Sequence, residues 1–341
     1  MKKLVVTFLI LVTLTGIAAS WLWHDYQRYL SAPLLIENDM VFLVKKGSNY
    51  NEILNDVKLI SGGVSIPYLK FYGRHSKLAN KIKAGEYQLS AGITPKKFLE
   101  IITSGRSINY QFTIVEGSTF KDLIANISAS KTLVDDVSSL TDQELIQQLN
   151  VSENYPEGLF LAETYSYEKN SSAMALLKRA NRLMAGILNE QWQVRDKSLP
   201  YKTPYEALIM ASIVEKETAR ADERPIIAGV FVRRLNKKMR LQTDPTVIYG
   251  MGESYKGNIR RSDLRKATPY NTYVIPALPP TPIAMVGREA ISAALNPAPG
   301  KALYFVAKGD GSHYFSKTLK EHNNAVRRYQ LSRRKDYRSS P

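Results

Sequence analysis

The chain begins with an apolar run that is long enough to cross a membrane. Residues Leu4–Trp23 carry no charge and follow Lys2 and Lys3. A helix of that length extends about 30 Å, which matches the hydrocarbon core of a bilayer. Trp21 and Trp23 stand where aromatic residues meet the membrane interface. The run therefore predicts a retained transmembrane anchor at residues 4–23.

The two lysines also predict the orientation of this anchor. Basic residues favour the cytoplasmic side, so residues 1–3 are the expected cytoplasmic end and the rest of the chain is expected outside the cytoplasm. A cleaved signal peptide is the alternative, because Ala18–Ser20 offers small residues. The apolar run nevertheless exceeds the ~7–15 residues of a signal-peptide core. We therefore favour the anchor.

Charge and composition exclude several classes of partner, cross-link and metal site. The net charge is +16, which usually indicates a polyanionic partner. An extracytoplasmic location excludes nucleic acid and leaves anionic lipid or an acidic envelope polymer. The chain has no cysteine, so disulfides, thiolate zinc sites and cysteine nucleophiles are excluded. Its four histidines are not spaced as metal ligands, and we expect no metal and no cofactor.

Strand and helix patterns alternate along the chain and predict an α+β fold. A strand is expected at Val41–Val44, and helices are expected at Asn49–Val57, capped by Ser48, and at Ile66–Arg74. The predicted organisation is a linker at residues 24–39, a small module at 40–108, a mixed α/β catalytic domain at 109–335 and a tail at 336–341.

One turn pattern occurs twice in this organisation. Lys46–Leu54 aligns with Glu116–Ile124, and each segment combines a strand end, a Gly-Ser turn and a helix with paired apolar residues. The first copy resembles the carbohydrate-binding LysM module, so residues 40–108 are interpreted as LysM-like. A generic strand-turn-helix connection is the alternative, because Gly-Ser turns are common.

A buried helix predicts the position of the chemistry. Thr203 caps it, Pro204 is its first residue, and positions 208–214 are apolar apart from a serine. The helix leads directly to Glu215 and Glu217. Glu217 shares a face with the apolar side chains, so we expect it to be the carboxyl whose pKa is raised by burial, as a general acid requires. The alternative is that both are ordinary surface glutamates.

Polar and aromatic residues cluster after this helix. The segments Arg240–Gly250, Ala267–Tyr273 and Leu278–Ile283 combine amides, carboxylates, tyrosines and prolines. Amides and carboxylates bind sugar hydroxyls, and aromatic rings stack on sugar faces, although turns use the same residue types. A glycoside hydrolase needs a second carboxyl, for which the candidates are Asp244, Glu215 and Glu223.

Three long motifs identify a family resemblance. Ala211–Thr218, Met239–Gly250 and Pro269–Tyr273 resemble the YceG-like family of endolytic murein transglycosylases. The resemblance extends from the anchor to His313–Ser316 and so covers nearly the whole chain. One segment departs from the family pattern, because Ala162 and Glu163 stand where the family commonly has Pro and Asp.

The resemblance implies a function and a site. Members are bound to the bacterial inner membrane and cut nascent glycan strands internally at MurNAc–GlcNAc bonds. The cut leaves 1,6-anhydro-MurNAc ends and terminates strand elongation. The family's catalytic glutamate falls on Glu217, which would protonate the glycosidic oxygen and then accept the proton of the C6 hydroxyl. Five further residues are expected to line the glycan cleft: Gln242, Asp244, Tyr249, Tyr270 and Asn271.

The resemblance also implies partners. Peptidoglycan strands and inner-membrane lipid are expected, with penicillin-binding proteins as further candidates. Two alternatives stay open at this point. One is a hydrolase that uses a second carboxylate, and the other is a non-catalytic peptidoglycan-binding scaffold.

Overall fold

The computed structural model describes residues 2–62 and 64–331 and contains two compact units. The first unit comprises Met1–Tyr110 with Tyr167–Lys169, and the second comprises Gln111–Ser166 with Asn170–Pro341. Helices and short strands alternate in both, so the fold is mixed α/β. The predicted tail at 336–341 and the last four residues of the predicted catalytic domain lie outside the described residues.

The apolar N-terminus forms one long helix, α1 (Lys2–Ser31). Among the described residues it alone is long and apolar enough to cross a membrane, with a mean hydropathy of 2.2. The helix is longer than the predicted span and continues through residues 24–31 of the predicted linker. The reason is packing, because Tyr26 is buried against the ring edges of Tyr68 and Phe71. These contacts continue the helix beyond the apolar run.

A two-stranded antiparallel sheet and three helices form the rest of the first unit. Strand β1 (Met40–Val44) pairs with β2 (Gly85–Leu89) so that Phe42 lies opposite Tyr87. The core lies between this sheet and the helices, because alternate strand residues and one face of each helix are buried. The helices are α2 (Tyr50–Ile60), α3 (Ile66–His75) and α4 (Pro95–Ser104), with a 3₁₀ turn at Ala79–Lys81.

The repeated turn pattern has the same geometry in both units. Gly47 and Gly117 have positive φ angles of 88° and 75°, which only glycine adopts without strain. The N-caps are Asn49 and Thr119, each closing a capping box. The prediction that the preceding serine is the cap is therefore wrong by one residue. A positive φ at the glycine places the cap two positions later.

The second unit contains most of the helices. Strand pairs are short: β4 (Leu133–Val134) is parallel to β6 (Ser171–Ser172), and β7 (Tyr304–Ala307) is antiparallel to β8 (His313–Ser316). Strands β3 (Asn109–Thr113) and β5 (Thr164–Glu168) lie where the chain passes between units. The helices are α5 (Phe120–Ala129), α6 (Asp142–Leu149), α7 (Ala173–Gln193), α8 (Pro204–Glu217), α9 (Arg224–Asn236), α10 (Asp244–Met251), α11 (Arg288–Leu295) and α12 (Leu319–Val326). Short 3₁₀ turns occur at Gly252–Ser254 and Asp263–Arg265, and a π-helical turn at Arg327–Leu331.

Helix α8 is the centre of this unit. Every residue from Ala207 to Glu215 is buried, and the helix packs against α7, α9, α10 and α11. Its start matches the prediction, because the Thr203 hydroxyl accepts a hydrogen bond from Glu206 N and Pro204 is the first helical residue. A helix enclosed on all sides holds its last residue in a defined position, and that residue is Glu217.

Candidate active site

Glu217 ends α8 and has one hydrogen-bond partner among the described residues. The Thr243 hydroxyl donates to its Oε1. Burial and the negative charge of Asp244 raise the pKa of Glu217, the Thr243 hydrogen bond lowers it, and the resulting pKa is about 7. The carboxyl therefore exists in both protonation states near neutral pH. This is the property needed to donate a proton and then accept one.

The carboxyl lines an open cavity of about 710 Å³, called here the Glu217 cavity. The predicted residues Gln242 and Asp244 line it as well. Asp244 Oδ1 accepts a hydrogen bond of 2.6 Å from the Tyr273 hydroxyl. Further polar or aromatic lining residues include Lys216, Arg234, Tyr273, Tyr304, Phe305, His313, His322 and Gln330. The cavity thus combines hydrogen-bonding groups with rings, as a sugar-binding cleft requires.

The loop that carries Thr243 is held tightly. Gln242 has a φ of +53°, a conformation that residues other than glycine rarely adopt. Backbone N–H groups of Gln242 and Thr243 donate to the carbonyl and the hydroxyl of Thr272, both at 3.1 Å. Arg234 Nη1 donates to the Leu241 carbonyl at 2.6 Å. These bonds set the loop so that the Thr243 hydroxyl reaches Glu217.

Glu215 is a structural carboxyl. Its side chain is 3% exposed and accepts a hydrogen bond from Arg224 Nη2 at 3.3 Å and one from the Gly287 backbone at 3.0 Å. Burial is not confined to Glu217, because α8 is enclosed on both sides and Glu215 is buried too. Burial raises the pKa of Glu215 as well, and the charge of Arg224 opposes this. With both oxygens engaged, Glu215 cannot serve as a second catalytic carboxyl.

The other candidates for a second carboxyl differ in availability. Glu223 is buried, and its two oxygens bind the backbone N–H and Nδ1 of His313 at 2.9 and 2.6 Å. Asp244 remains, because it lines the Glu217 cavity and its charge acts on Glu217.

Tyr249 and Tyr270 line a different cavity, of about 420 Å³, together with Glu157. Glu157 accepts hydrogen bonds from the Phe120 backbone and the Tyr249 hydroxyl, both at 3.0 Å. Burial raises the pKa of Glu157 to about 7, and these hydrogen bonds oppose the shift. We call this the Glu157 cavity. The sequence analysis did not single out Glu157, although a glutamate directly before Gly158 was an available signal.

Asn271 holds a loop together and lines neither cavity. It is 1% exposed, and its Nδ2 donates to the carbonyls of Asp263 and Lys266 at 3.0 and 2.7 Å. Its Oδ1 accepts from Tyr273 N. The structure therefore divides the predicted glycan-lining residues among three places: the Glu217 cavity, the Glu157 cavity and the loop around Asn271.

The departure from the family pattern lies away from both cavities. Ala162 is buried, and its backbone N–H donates to the Val286 carbonyl at 2.9 Å. Glu163 is exposed, and neither residue lines the Glu217 cavity. Within residues 2–62 and 64–331, no group of three or more His, Asp or Glu side chains is placed to hold a metal ion.

Fold and site together define a mixed α/β protein with an apolar N-terminal helix and, at the end of a buried helix, a cavity-lining glutamate whose pKa is raised to about 7. The chain belongs to the YceG-like family, whose model matches residues 42–328. It is 33% identical over 286 residues to an endolytic murein transglycosylase of Bacillus subtilis (strain 168), covering 77% of this chain and 76% of that protein.

Two further comparisons agree with this family. An endolytic murein transglycosylase of Streptococcus pneumoniae serotype 2 is 26% identical over 95% of this chain, which spans 65% of that relative's length. A solved structure of a YceG-like protein from Listeria monocytogenes matches with a TM-score of 0.54 and 28% identity, covering 84% of this chain and 98% of that one.

Proposed function

We infer that this chain is an endolytic murein transglycosylase that uses Glu217 as its catalytic group. The observation that carries the proposal is the position of Glu217, at the end of a fully packed helix, lining a polar and aromatic cavity, with its pKa raised to about 7. The names of the relatives supply the substrate, murein, and the internal position of the cut.

The proposed reaction needs one carboxyl and no water. Protonated Glu217 gives its proton to the glycosidic oxygen between MurNAc and GlcNAc as the bond to C1 breaks. The C6 hydroxyl of the same MurNAc then bonds to C1, and its proton passes to the Glu217 carboxylate. The product carries a 1,6-anhydro end, and Glu217 is protonated again. A pKa near 7 suits both steps, because neither state is strongly favoured.

The proposal extends to location and partners. Helix α1 is the proposed single-pass anchor in the inner membrane, with the rest of the chain on the periplasmic side, as Lys2 and Lys3 predict. Anionic lipid and penicillin-binding proteins are the proposed partners besides peptidoglycan. Residues 40–108 are the proposed LysM-like module; β1, the Gly47 turn and the capped helix α2 support this.

Mass spectrometry of products from purified glycan strands tests the proposal. Full-length protein in detergent is expected to release fragments with anhydro ends, and Glu217→Gln is expected to release none above background while it stays folded. Glu289→Gln is the matched control, because Glu289 is an exposed glutamate on α11. Normal activity of Glu217→Gln contradicts the assigned role. Binding of glycan without any cleavage by the unaltered protein supports the scaffold alternative.

Asp244 favours a second candidate, a glycoside hydrolase. It lines the same cavity as Glu217 and acts electrostatically on it, so it is the carboxylate available to activate water. The same product analysis separates the two reactions, because a hydrolysis product contains one water more than the anhydro product. The hydrolase requires Asp244→Asn to abolish cleavage, whereas the transglycosylase does not.

A further inference from the structure

Arg234 is a buried cation in the Glu217 cavity that forms no ion pair with any carboxylate in residues 2–62 and 64–331. It lies on α9, is 7% exposed and lines the cavity. Its Nη1 and Nη2 donate to the Leu241 carbonyl and to Gln242 Oε1, at 2.6 and 3.1 Å. No carboxylate of the described residues forms an ion pair with it. The comparable buried arginine, Arg224, lies within 3.5 Å of two carboxylates.

Arg234 and a neighbouring histidine each have a buried nitrogen without a hydrogen-bond partner among the described residues. Its guanidinium carbon lies 5.2 Å from the centre of the Tyr304 ring, on which His322 stacks at 5.3 Å. All three residues line the Glu217 cavity. Arg234 Nε and His322 Nδ1 are both buried without a hydrogen-bond partner in the described part of the chain. Burial lowers the pKa of His322, and the charge of Arg234 lowers it further.

A buried arginine without a counterion is energetically unfavourable unless a ligand supplies the negative charge. A buried charge without a counterion carries a large desolvation penalty, and carbonyl and amide oxygens compensate it only in part. A guanidinium offers five N–H groups in a fork that matches a carboxylate, and two of these groups are assigned to Leu241 and Gln242. The missing partner is therefore a planar anion that enters through the cavity.

We propose that Arg234 binds a carboxylate group of the substrate in the Glu217 cavity. The inference rests on the proposed function, because murein is the polymer that brings carboxylates to this cavity. Its MurNAc residues carry a lactyl carboxyl, which is free in stripped strands and amide-linked in strands that bear peptides. The peptide stems carry carboxylates of their own. Recognition by Arg234 selects MurNAc-containing strands over neutral polymers of GlcNAc.

Binding measurements on full-length Glu217→Gln protein in detergent test this proposal, since that variant leaves the ligand uncut. Three probes are compared: amidase-stripped glycan oligosaccharides, oligosaccharides that keep their peptide stems, and neutral GlcNAc oligosaccharides of equal length. We expect at least one carboxylated probe to bind about tenfold or more tightly than the neutral one, as charge-assisted hydrogen bonds allow. Adding Arg234→Gln should remove this preference, so that carboxylated and neutral probes bind with similar affinity.

Arg233→Gln is the matched control for that variant. Arg233 is the neighbouring arginine on α9; it also donates to backbone carbonyls, of Ala298 and Ala302, but it does not line the Glu217 cavity. It should leave the preference intact. A preference confined to stripped strands identifies the lactyl carboxylate as the ligand, and one confined to stem-bearing strands identifies a peptide carboxylate.

The proposal is overturned if Glu217→Gln protein, in which Arg234 is intact, binds all three probes equally. This measurement does not depend on whether an Arg234 variant folds. It is also overturned if folded Arg234→Gln keeps the preference. Failure of the proposed function is separate, because it appears as absence of anhydro products from the unaltered protein. If Arg234→Gln does not fold, Arg234→Lys keeps the charge without the fork and should weaken the preference several-fold.

Discussion

The Glu217 and Glu157 cavities each contain a glutamate with a pKa raised to about 7 by burial, yet the two carboxyls are held differently. Glu217 accepts one hydroxyl hydrogen bond, on one oxygen, from Thr243. Glu157 accepts from the first backbone N–H of α5 and from the Tyr249 hydroxyl. A raised pKa alone therefore does not mark a catalytic acid. A group that gives and retakes a proton also needs an oxygen that its neighbours leave available.

The largest expected effect is a difference in cleavage rate between variants of these two glutamates. Glu217→Gln should reduce release of anhydro-ended fragments at least a hundredfold, the usual contribution of a general acid. Glu157→Gln should keep activity within about tenfold, because the new amide oxygen can still accept from the Phe120 backbone. Initial rates on purified glycan strands measure both. If both variants fold and lose activity to a similar extent, the two glutamates do not differ in their importance for cleavage.

Glu215→Gln extends the comparison to a third buried carboxyl. Removing one side of a buried ion pair destabilises a protein by about 3 kcal/mol or more, because Arg224 loses its closer partner. The free energy of unfolding, measured by urea titration in detergent, should fall by about that amount, with Glu289→Gln unchanged. Activity per folded molecule should stay close to normal. A stable but inactive Glu215→Gln variant means that Glu215 takes part in the chemistry.

Tyr249→Phe distinguishes support of Glu157 from contact with glycan. The substitution removes the 3.0 Å hydrogen bond to Glu157 and should lower the free energy of unfolding by about 1 to 2 kcal/mol. Tyr314→Phe is the control, since Tyr314 is 42% exposed and should have little effect. If KM rises without a loss of stability, Tyr249 binds the glycan strand, as its sequence context predicts.

The smallest expected effect concerns pH. Because the pKa of Glu217 is raised to about 7, its acid form is present below that pH, and kcat/KM should fall as the pH rises through 7. The charge of Asp244 contributes to this elevation, so Asp244→Asn should move the fall to lower pH, by less than one unit. Glu157→Gln should leave the pH dependence of kcat/KM unchanged. An unchanged profile in Asp244→Asn shows that the two carboxyls do not interact.

Local sequence signals predict the positions and ends of several helices. The uncharged run from Leu4 predicts α1, and Thr203 with Pro204 predicts the start of α8. In each case the signal and the structure lie within a few residues, since caps, proline and apolar periodicity act through the nearest turn of backbone. The position of Glu217 at the end of α8 follows from the same local rules.

Only the tertiary structure decided which side chains share a cavity. Thr243 reaches Glu217 from 26 residues away, Gly287 reaches Glu215 from 72, and Tyr249 reaches Glu157 from 92. Such pairs depend on how α8, α10 and the segment that ends at Gly287 pack, and no local spacing encodes them. For the same reason the polar segment at 240–250 predicts one cleft, whereas helix α10 contributes Asp244 to one cavity and Tyr249 to another. Burial and hydrogen-bond partners are properties of the packed chain, and they place otherwise similar glutamates in different surroundings.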